Sequence, residues 1–440
     1  MSSRLPKEGS RINREKIVDF RFNGKNLKGF EGDTVASALL ANNELLVARS
    51  FKYHRPRGIF SAGEEEPNAL MGIGEGPLFE PNLKATEVTI KQNMNVISQN
   101  HWPSLKFDLL SINNNLARFF AAGFYYKTFM WPRSAWKYLF EPMIRKASGL
   151  GNAPSEYDAE NYEHIHYHTD VLIIGGGLAG ITAAKALTGR GLSIMLCEKD
   201  SLIGGRFLQD CKIEEQERVK KLHKSSIEIL KKSKDISVKL NTCVTGIFDH
   251  GFVLAYEENQ HQHANTKKAL WKIRAKTIIL CAGAIERPIV FPDNDLPGIM
   301  LAASVRDYLQ KYGVLLGDRL LLTTNNDYAY KTVIELKRRG IDIPAVLDAR
   351  TSSDDPLIDE AKGLGIRVLF GKCIGKVEGK KKVEAVGVCS VNGEGSIEEL
   401  IPCNAIAVSS GWTPNVSLWS HCGGKLIWDG DFGFFKPDLD

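Results

Sequence analysis

Glycines and one acid carry the clearest chemical pattern in the chain. The glycines, in the segment GGGLAG, are Gly175, Gly176, Gly177 and Gly180, and the acid is Glu198. In dinucleotide-binding loops such glycines permit a tight turn, let the backbone approach a pyrophosphate, and let a helix pack closely on a sheet. An acid at the end of the following strand accepts hydrogen bonds from an adenosine ribose. The pattern therefore predicts a dinucleotide site.

The neighbouring residues supply the strand, helix and second strand that this loop needs. Asp170 to Ile174 is a short, nearly all-apolar segment, typical of a buried parallel strand. The helical run LAGITAAKALTGRG follows, and the second strand, LSIMLCE, ends at Glu198. A pyrophosphate would face the free N–H groups at the helix N-terminus, where the helix dipole favours negative charge. Because the acid repels a 2′-phosphate, NAD or FAD is favoured over NADP.

Other residues are predicted to line the same cofactor. The glycine pair in SLIGGRF can bring the backbone against the nucleotide, although an ordinary turn is the alternative. Cys197 precedes the acid, and we expect it to be a packing residue rather than a reactive thiol. The predicted cofactor-binding residues are Gly175, Gly176, Gly177, Gly180, Cys197, Glu198, Lys199, Gly205, Arg206, Val244 and Gly283. No catalytic acid, base or nucleophile is assigned, since no pairing in the sequence makes a case for one.

A second strand–helix–strand unit follows, DRLLLTTNNDYAYKTVIELKRRGIDIPAVLDAR. Asp348 stands where the acid should be, but the side chains of Thr324 to Asp327 replace the glycine loop. Such side chains crowd a pyrophosphate. The sequence therefore predicts that this unit keeps the fold with a weakened or altered nucleotide site, and the segment CNAIAVSSGWTPN is predicted to return the chain to the first nucleotide domain.

The first hundred residues differ from the rest, because they are rich in predicted strands. KIVDFRFNGKNLKGF predicts two strands around Asn23-Gly24, followed by a helix with Asp33 as its N-cap. ATEVTIKQN alternates again and predicts a further strand. RSFKYHRPRG is a basic loop, interpreted as packing on a neighbouring domain or near a flavin phosphate, with nucleic-acid contact as the less favoured alternative.

An aromatic segment, NNNLARFFAAGFYYKTFMWPRSAWKYLFEPMI, lies between this part and the first nucleotide unit. It is interrupted by the basic residues Arg118, Lys127, Arg133 and Lys137. We expect it to pack across its own domains or against a partner subunit. A membrane-surface helix is the alternative, weakened by the broken amphipathicity.

Length and composition bound the class of protein. A chain of 440 residues is too long for a single compact core, so two or three domains are expected. Hydrophobic residues at 43% and charged residues at 25% are typical of a soluble globular protein, and a net charge of +5 is no argument for nucleic-acid binding. The N-terminus lacks the apolar core of a signal peptide, and no window is apolar enough to span a membrane. A cytoplasmic location without nucleic acid or membrane is predicted.

Cysteine and histidine spacing argues against a metal. The eight cysteines all lie from Cys197 onward, and none are spaced as C-x-x-C, which disfavours a zinc ribbon or a dithiol redox motif. Scattered reduced thiols fit the cytoplasm. His164, His166 and His168 share one face of an extended segment, but no carboxylate or cysteine partner is evident. No metal site is predicted.

Motifs along nearly the whole chain resemble the alpha subunits of heterotetrameric sarcosine oxidases. They include EGDTVASALLANN, RSFKYHRPRGIFSAGEEEPNAL, AGFYYKTFMWP, YEHIHYHTDVLIIGGGLAG, TTNNDYAY and SSGWTPNVSLWSHCGGKL. The resemblance implies an α/β chain in which a ferredoxin-like β-grasp domain precedes a Rossmann fold of the two-dinucleotide-binding-domain flavoprotein type. The predicted boundaries are 1–100 for the ferredoxin-like domain, 101–168 for the aromatic connection, 169–296 with 400–440 for the nucleotide domain, and 297–399 for the inserted second domain.

The resemblance also implies cofactors and partners. It implies NAD in this chain, FMN at the interface with a beta subunit, and FAD in that beta subunit, which oxidises sarcosine. Electrons would pass to oxygen and give hydrogen peroxide. The implied partners are the beta subunit and smaller subunits, with sarcosine and tetrahydrofolate handled by the complex. Because the first cysteine is Cys197 and a plant-type cluster takes four thiolates, no iron–sulfur cluster is expected in the ferredoxin-like domain.

Two further expectations concern what the chain lacks. A full alpha subunit would add a folate-binding, aminomethyltransferase-like half and a last strand closing the nucleotide domain, and we expect both to be missing after Asp440. Two alternatives to the alpha-subunit interpretation stay open. One is an autonomous FAD-dependent NAD(P)H oxidoreductase, and the other is a non-catalytic assembly subunit.

Overall fold

Residues 3–117, 129, 131–210, 216–258 and 267–438 are described by the structure, which is a computed structural model. The chain divides into two units that interleave in sequence. The first unit contains residues 1–157 and 286–411, and the second contains residues 158–285 and 412–440. The predicted four-part division stays a prediction.

The N-terminal part of the first unit is a five-stranded sheet with the strand order β2-β1-β7-β5-β6. Asn23 and Gly24 both have positive φ, at 48° and 79°, and form the turn between β1 and β2, which confirms the predicted hairpin. The strands of this part are β1 (Asn13–Phe22), β2 (Lys25–Glu31), β3 (Ala48–Arg49), β4 (Pro56–Arg57), β5 (Leu70–Ile73), β6 (Glu80–Lys84) and β7 (Met94–Ser98).

Thr34, not Asp33, caps the first helix, α1 (Val35–Ala41). The Thr34 hydroxyl accepts a hydrogen bond from the Ser37 backbone N–H at 3.1 Å, as an N-cap does. Asp33 is buried and instead accepts two hydrogen bonds from the Arg4 guanidinium, at 3.0 and 2.8 Å. The predicted cap was wrong because the competing partner, Arg4, comes from a distant part of the sequence.

The predicted strand in ATEVTIKQN is also wrong. Residues 85–87 and 92–93 form turns, and Thr89 makes an isolated β-bridge with Thr34. The backbone carbonyls of this segment cap the start of α1: Val88 accepts from the Val35 N–H at 2.8 Å, and Ala85 accepts from the Ala36 N–H at 2.9 Å. The apolar alternation reflects packing of Ala85 and Ile90 in the core rather than a strand.

The segment after β7 is mostly exposed where it is described. Trp131 and Tyr138 have 84% and 77% of their surface exposed, so they stay available for contacts beyond the described residues. Arg118 and Lys127 lie outside the described residues. The helical pieces are a 3-10 turn (Leu109–Ser111), α2 (Ile112–Asn115), α3 (Arg133–Ala135), a π-helical turn (Trp136–Phe140) and α4 (Glu141–Ala147).

The second unit is built on a six-stranded sheet with the order β10-β9-β8-β13-β12-β11. Strands β8 and β13 run parallel and pair residue by residue from Tyr162 with Lys268 to Ile174 with Leu280. The elements are β8 (Tyr162–Ile174), α5 (Leu178–Leu187), β9 (Ile194–Cys197), α6 (Phe207–Asp210), α7 (Gln216–Lys232), β10 (Ile236–Lys239), β11 (Thr242–Phe248), β12 (Phe252–Glu258) and β13 (Lys268–Leu280).

A five-stranded parallel sheet in the order β15-β22-β16-β17-β18 and a three-stranded antiparallel sheet, β19-β20-β21, complete the first unit. The elements after β13 are β14 (Ala284–Glu286), β15 (Ile299–Leu301), α8 (Ala302–Asp307), a π-helical turn (Tyr308–Tyr312), β16 (Leu320–Thr324), α9 (Tyr330–Arg338), β17 (Val346–Asp348), α10 (Pro356–Gly363), β18 (Val368–Phe370), β19 (Lys372–Glu378), β20 (Ala385–Ser390), β21 (Glu399–Pro402), β22 (Ala405–Ser409), β23 (Trp412–Pro414), α11 (Ser417–His421), β24 (Leu426–Asp429) and β25 (Phe434–Pro437).

One apolar core joins the two sequence segments of the first unit. It contains Phe20 and Leu39 from the N-terminal sheet and helix, together with Tyr330 from α9. The basic loop also makes ion pairs between these two segments: the Arg55 guanidinium lies 2.6 Å from Asp293 and 2.7 Å from Asp295. RSFKYHRPRG thus packs on other residues of its own unit. Its packing on a neighbouring domain or near a flavin phosphate stays a prediction.

No helix within the described parts of the chain is long and apolar enough to cross a membrane.

Candidate nucleotide-binding site

The glycine loop lies at the carboxyl end of β8, and two of its glycines are required by the protein itself. Gly175 has a φ of +103°, and a β-carbon there would lie 2.2 Å from the carbonyl oxygen of Cys281. A β-carbon on Gly180 would lie 1.9 Å from the Gly175 carbonyl oxygen. Contacts this short cannot be relieved without moving the backbone. Gly175 and Gly180 therefore set the turn and the approach of α5.

Gly177 differs from these two glycines. A β-carbon on Gly177 would meet no atom of the described residues within 4 Å, so the backbone borders open space. The same residue is the N-cap of α5, and no side-chain hydrogen bond caps that helix. The first N–H groups of a helix have no partner within the helix and attract anions. The space beside Gly177 can therefore accept a phosphate against the backbone.

Glu198 is anchored beside this space. One of its carboxylate oxygens accepts a hydrogen bond from the Gly176 N–H at 2.6 Å, and the other accepts one from the Asp200 N–H at 2.8 Å. Burial raises the pKa of the Glu198 carboxyl, while these two backbone donors lower it. A β-carbon on Gly176 would lie 2.9 Å from the Glu198 carboxylate. The carboxylate is thus fixed in orientation, as a ribose acceptor must be.

The segment after β9 closes on the same loop. The Gly204 N–H donates to the Gly176 carbonyl at 2.9 Å. Gly205 has a φ of +53°, and its β-carbon would come within 3.1 Å of the Gly177 α-carbon. The Arg206 guanidinium follows, 5.0 Å from the centre of the Trp412 ring. This geometry brings the predicted residues of SLIGGRF to the glycine loop.

Trp412 was missed by the sequence analysis. It lies on β23, at the return of the chain to the second unit, and its indole ring makes a cation–π contact with Arg206. The only available signal was GWTPN, which predicted the return of the chain but not a role for the tryptophan. Trp412 fixes the Arg206 guanidinium near the loop.

The remaining predicted residues lie around the loop in different ways. Cys197 is 1% exposed and packs in the core together with Val244. Lys199 is exposed. Gly283 has a φ of +73° and open space at its β-carbon position, and its carbonyl accepts from the Asn415 N–H at 2.9 Å. These four residues stay predictions as cofactor contacts.

We expect Cys197 to resist alkylation in the native chain. Burial raises the pKa of its thiol to about 12, and burial raises the pKa of the Cys403 thiol to about 12 as well. The thiolate is the reactive form, so neither residue should react with iodoacetamide at neutral pH, whereas the exposed Cys422 should. Peptide mass mapping after labelling measures each site, with denatured chain as the control. Labelling of Cys197 as fast as that of Cys422 would contradict the described burial.

Replacing Glu198 with alanine is expected to weaken NAD binding by roughly 10- to 100-fold, because hydrogen bonds to a charged group contribute about 1.5–3 kcal/mol. The variant should also lose its discrimination against NADP, since the charge that repels a 2′-phosphate is gone. Titration calorimetry with both nucleotides measures the two affinities. Glu228→Ala, which removes an exposed carboxylate from α7 of the same unit, is the matched control. Unchanged NAD affinity in the Glu198 variant would place the ribose elsewhere.

The second strand–helix–strand unit has its equivalent position filled from within. Asp348 is fully buried, and its carboxylate accepts hydrogen bonds from the Tyr330 hydroxyl at 2.8 Å and from the Arg350 guanidinium at 2.7 Å. The same guanidinium lies 2.8 Å from Asp327. The Asn326 side-chain amide donates to the Ser409 hydroxyl at 3.1 Å. The acid that would bind a ribose is therefore already paired with protein groups.

The three histidines of β8 are exposed and alternate with the partly buried Ile165 and Tyr167. Within the described ranges, no group of three or more His, Cys, Asp or Glu side chains is placed to hold a metal ion. The histidine face is therefore the outer face of a strand whose other face packs.

Two family models match parts of the chain. Residues 15–101 match the 2Fe-2S iron-sulfur cluster binding domain, and residues 169–319 match the pyridine nucleotide-disulphide oxidoreductases. The fold is similar to that of L-proline dehydrogenase from P. horikoshii, with a TM-score of 0.63 and 22% identity, covering 99% of this chain and 68% of that chain. The chain thus joins a ferredoxin-like domain to an FAD/NAD-type Rossmann fold, as the sequence predicted.

The particular resemblance is to sarcosine oxidase alpha subunits. The chain is 39% identical to the sarcosine oxidase subunit alpha of Rhizobium meliloti (strain 1021) over 99% of its own length. It is 33% identical to that of Corynebacterium sp. (strain P-1), again over 99%. The chain spans 44% and 42% of the lengths of these two relatives. The resemblance that the motifs predicted is confirmed.

The family match corrects one prediction. The expectation of no iron–sulfur cluster in the ferredoxin-like domain was wrong, because residues 15–101 match a family described as binding a 2Fe-2S cluster. The prediction rested on thiolates alone. The chain's first cysteine is Cys197, so the matched segment itself supplies none of the four thiolates of a plant-type cluster, and its donor set does not fit one.

Proposed function

We propose that this chain is the NAD-holding part of a sarcosine oxidase alpha subunit. The observation that carries the proposal is the open space beside Gly177, bordered by the uncapped start of α5 and by the anchored Glu198 carboxylate. The similarity to sarcosine oxidase alpha subunits over 99% of the chain supplies the biological setting. NAD, when bound, supplies a nicotinamide ring that can accept or donate hydride.

The residues of this chain bind and orient the adenosine half of the nucleotide. The N–H groups at the start of α5 hold the pyrophosphate, and Gly177 lets the backbone approach it. Glu198 accepts hydrogen bonds from the ribose, and its charge excludes a 2′-phosphate. Arg206, which is held in place by its cation–π contact with Trp412, adds a positive charge beside the glycine loop.

Substrate oxidation is proposed to lie in the partner. The complex would oxidise sarcosine to glycine in a beta subunit, pass electrons through flavins to oxygen, and release hydrogen peroxide. The proposed partners are that beta subunit and smaller subunits, with sarcosine and tetrahydrofolate reached through the complex, in the cytoplasm. The exposed aromatic side chains between β7 and β8, such as Trp131, are the surface we propose for subunit contact.

An autonomous flavin-dependent oxidoreductase is the alternative. The match of residues 169–319 to pyridine nucleotide-disulphide oxidoreductases favours it. Two observations oppose it: the filled position around Asp348, where a second nucleotide would bind, and the lack of any C-x-x-C spacing in the sequence. A non-catalytic assembly subunit would leave the open glycine loop without a ligand.

The test is to purify the chain, record its absorbance from about 300 to 500 nm, where oxidised flavins absorb, and identify the released nucleotide by mass spectrometry. Colourless protein that releases NAD supports the proposal. Yellow protein that releases FAD overturns it in favour of the autonomous enzyme. If nothing is released, calorimetric titration with NAD decides, and absence of binding leaves the assembly role.

A further inference from the structure

Glu66 lies at the centre of a ring of backbone donors in the N-terminal part of the first unit. The residue is 2% exposed. One carboxylate oxygen accepts from the N–H groups of Phe60 and Ser61, at 2.8 and 2.7 Å. The other accepts from the N–H groups of Asn68 and Ala69, at 2.8 and 3.1 Å. The loop of residues 60–69 therefore wraps around one carboxylate.

This arrangement has the chemistry of an anion site. Converging backbone N–H groups form a concavity that binds anions, and hydrogen bonds to an ionised acceptor are stronger than those between neutral groups. Burial raises the pKa of the Glu66 carboxyl, and the four N–H donors act in the opposite direction. A neutral amide at this position would turn its own N–H groups toward two of these donors, because an amide nitrogen donates hydrogen bonds and does not accept them.

Three residues of this loop have the spacing of a cluster-binding motif. Ser61, Glu66 and Ala69 are separated by four and two residues, which is the C-x4-C-x2-C spacing of plant-type cluster loops. The loop lies inside the segment that matches the 2Fe-2S domain family. A loop of this kind surrounds a negatively charged group with backbone donors. In this chain Glu66 occupies the second of these three positions, and its carboxylate accepts from the backbone N–H groups of the other two, Ser61 and Ala69.

The outer side of the loop binds the second sequence segment of the first unit. The Phe60 carbonyl accepts from the Leu301 N–H at 2.9 Å. The Ser61 carbonyl accepts from the buried Tyr308 hydroxyl at 2.9 Å, and the Ala62 N–H donates to the Ser304 hydroxyl at 3.0 Å. Loop conformation and the position of residues 301–308 are therefore linked through the backbone of residues 60–62.

We propose that the Glu66 carboxylate is an internal anion that organises the loop of residues 60–69, and that the donor ring is a carboxylate-binding site. Through this loop, Glu66 acts as a positioning residue for β15 and the start of α8, which directly follows it. When the side chain is truncated, the ring is left with unpaired donors and takes up a small external carboxylate.

The test compares Glu66→Ala and Glu66→Gln with Glu65→Ala, a neighbouring carboxylate that makes none of the four ring contacts. We expect each Glu66 variant to unfold at a temperature lower by about 10 °C, the shift for a loss of a few kcal/mol in a unit of this size. Glu65→Ala should stay within about 2 °C of the wild-type chain. Glu66→Gln tests whether the charge is needed, because the amide has nearly the same size as the carboxylate but is neutral and turns its own N–H groups toward the backbone donors.

Sodium formate is the probe for the vacated site. We expect formate to restore at least half of the lost unfolding temperature in Glu66→Ala, whereas sodium chloride at equal ionic strength restores none and the wild-type chain does not respond. If Glu66→Ala does not fold, hydrogen exchange of the amides of residues 60, 61, 68 and 69 in the wild-type chain decides instead. Strong protection of all four supports the proposal, and fast exchange overturns it.

Two other results would overturn the proposal. One is a wild-type unfolding temperature in Glu66→Gln, which would mean that a neutral group serves equally well. The other is stoichiometric iron and acid-labile sulfide in the purified chain, held by this loop, because the ring cannot hold a cluster and the Glu66 carboxylate together.

Discussion

Replacing Gly177 with alanine is expected to weaken NAD binding by about 100-fold, or about 2.7 kcal/mol, while leaving the unfolding temperature unchanged. The β-carbon meets no atom of the described residues, and the backbone φ of −70° suits alanine, so the folded chain accommodates it. It does occupy the space through which a pyrophosphate would approach the backbone. Titration calorimetry and thermal unfolding measure the two quantities separately.

Gly180→Ala is the matched control, because the same added methyl group has the opposite consequence. Its β-carbon would lie 1.9 Å from the Gly175 carbonyl oxygen, so the free energy of unfolding should fall by several kcal/mol. If Gly177→Ala bound NAD as tightly as the wild-type chain, the nucleotide would not lie against this loop. A fall in the unfolding temperature of Gly177→Ala alone would instead mean that the open space is filled by protein.

Removal of the Asp348 carboxylate should destabilise the chain by about 3 kcal/mol without affecting NAD binding. Asp348→Ala leaves the Tyr330 hydroxyl and the Arg350 guanidinium without their buried acceptor. Breaking a buried pair by removing one member costs about 3–5 kcal/mol, and partial exposure of Arg350 favours the lower value. Denaturant unfolding of the chain gives the free energy.

Tyr330→Phe is the control for this network, since it removes one hydrogen bond and keeps the ion pair. A loss of about 1 kcal/mol is expected. Tighter NADH binding in Asp348→Ala than in the wild-type chain would show that the second unit retains a nucleotide site that the carboxylate network had blocked. The autonomous-enzyme alternative would then regain support.

The nucleotide loop could be predicted because its parts are contiguous. Strand, glycines, helix and acid follow one another from Asp170 to Glu198, so local rules on turns and helix ends decide the geometry. The second unit could be predicted as a fold for the same reason. The contacts of Arg350 and Tyr330 with Asp348 could not be predicted, because the sequence shows the acid without showing which residues bind it.

Partners that are distant in sequence account for what was missed. Asp33 binds Arg4 instead of capping α1, and Trp412, which contacts Arg206, comes from the second sequence segment of the second unit. The Glu66 ring shows a different limit. Its donors are backbone N–H groups, which every residue except proline has, so residue types alone could not indicate where they converge.

The interleaving of the two units has a consequence for synthesis on the ribosome. Phe20 and Leu39 share a core with Tyr330, so part of the apolar surface of the N-terminal segment stays uncovered until residues beyond 330 have left the exit tunnel. Translation adds about 5–20 residues per second, so the wait lasts tens of seconds. Strands β8 and β13 meet during that interval. The nascent chain thus carries uncovered apolar surface during that wait, and its yield in the cell should depend on chaperones that hold the N-terminal segment.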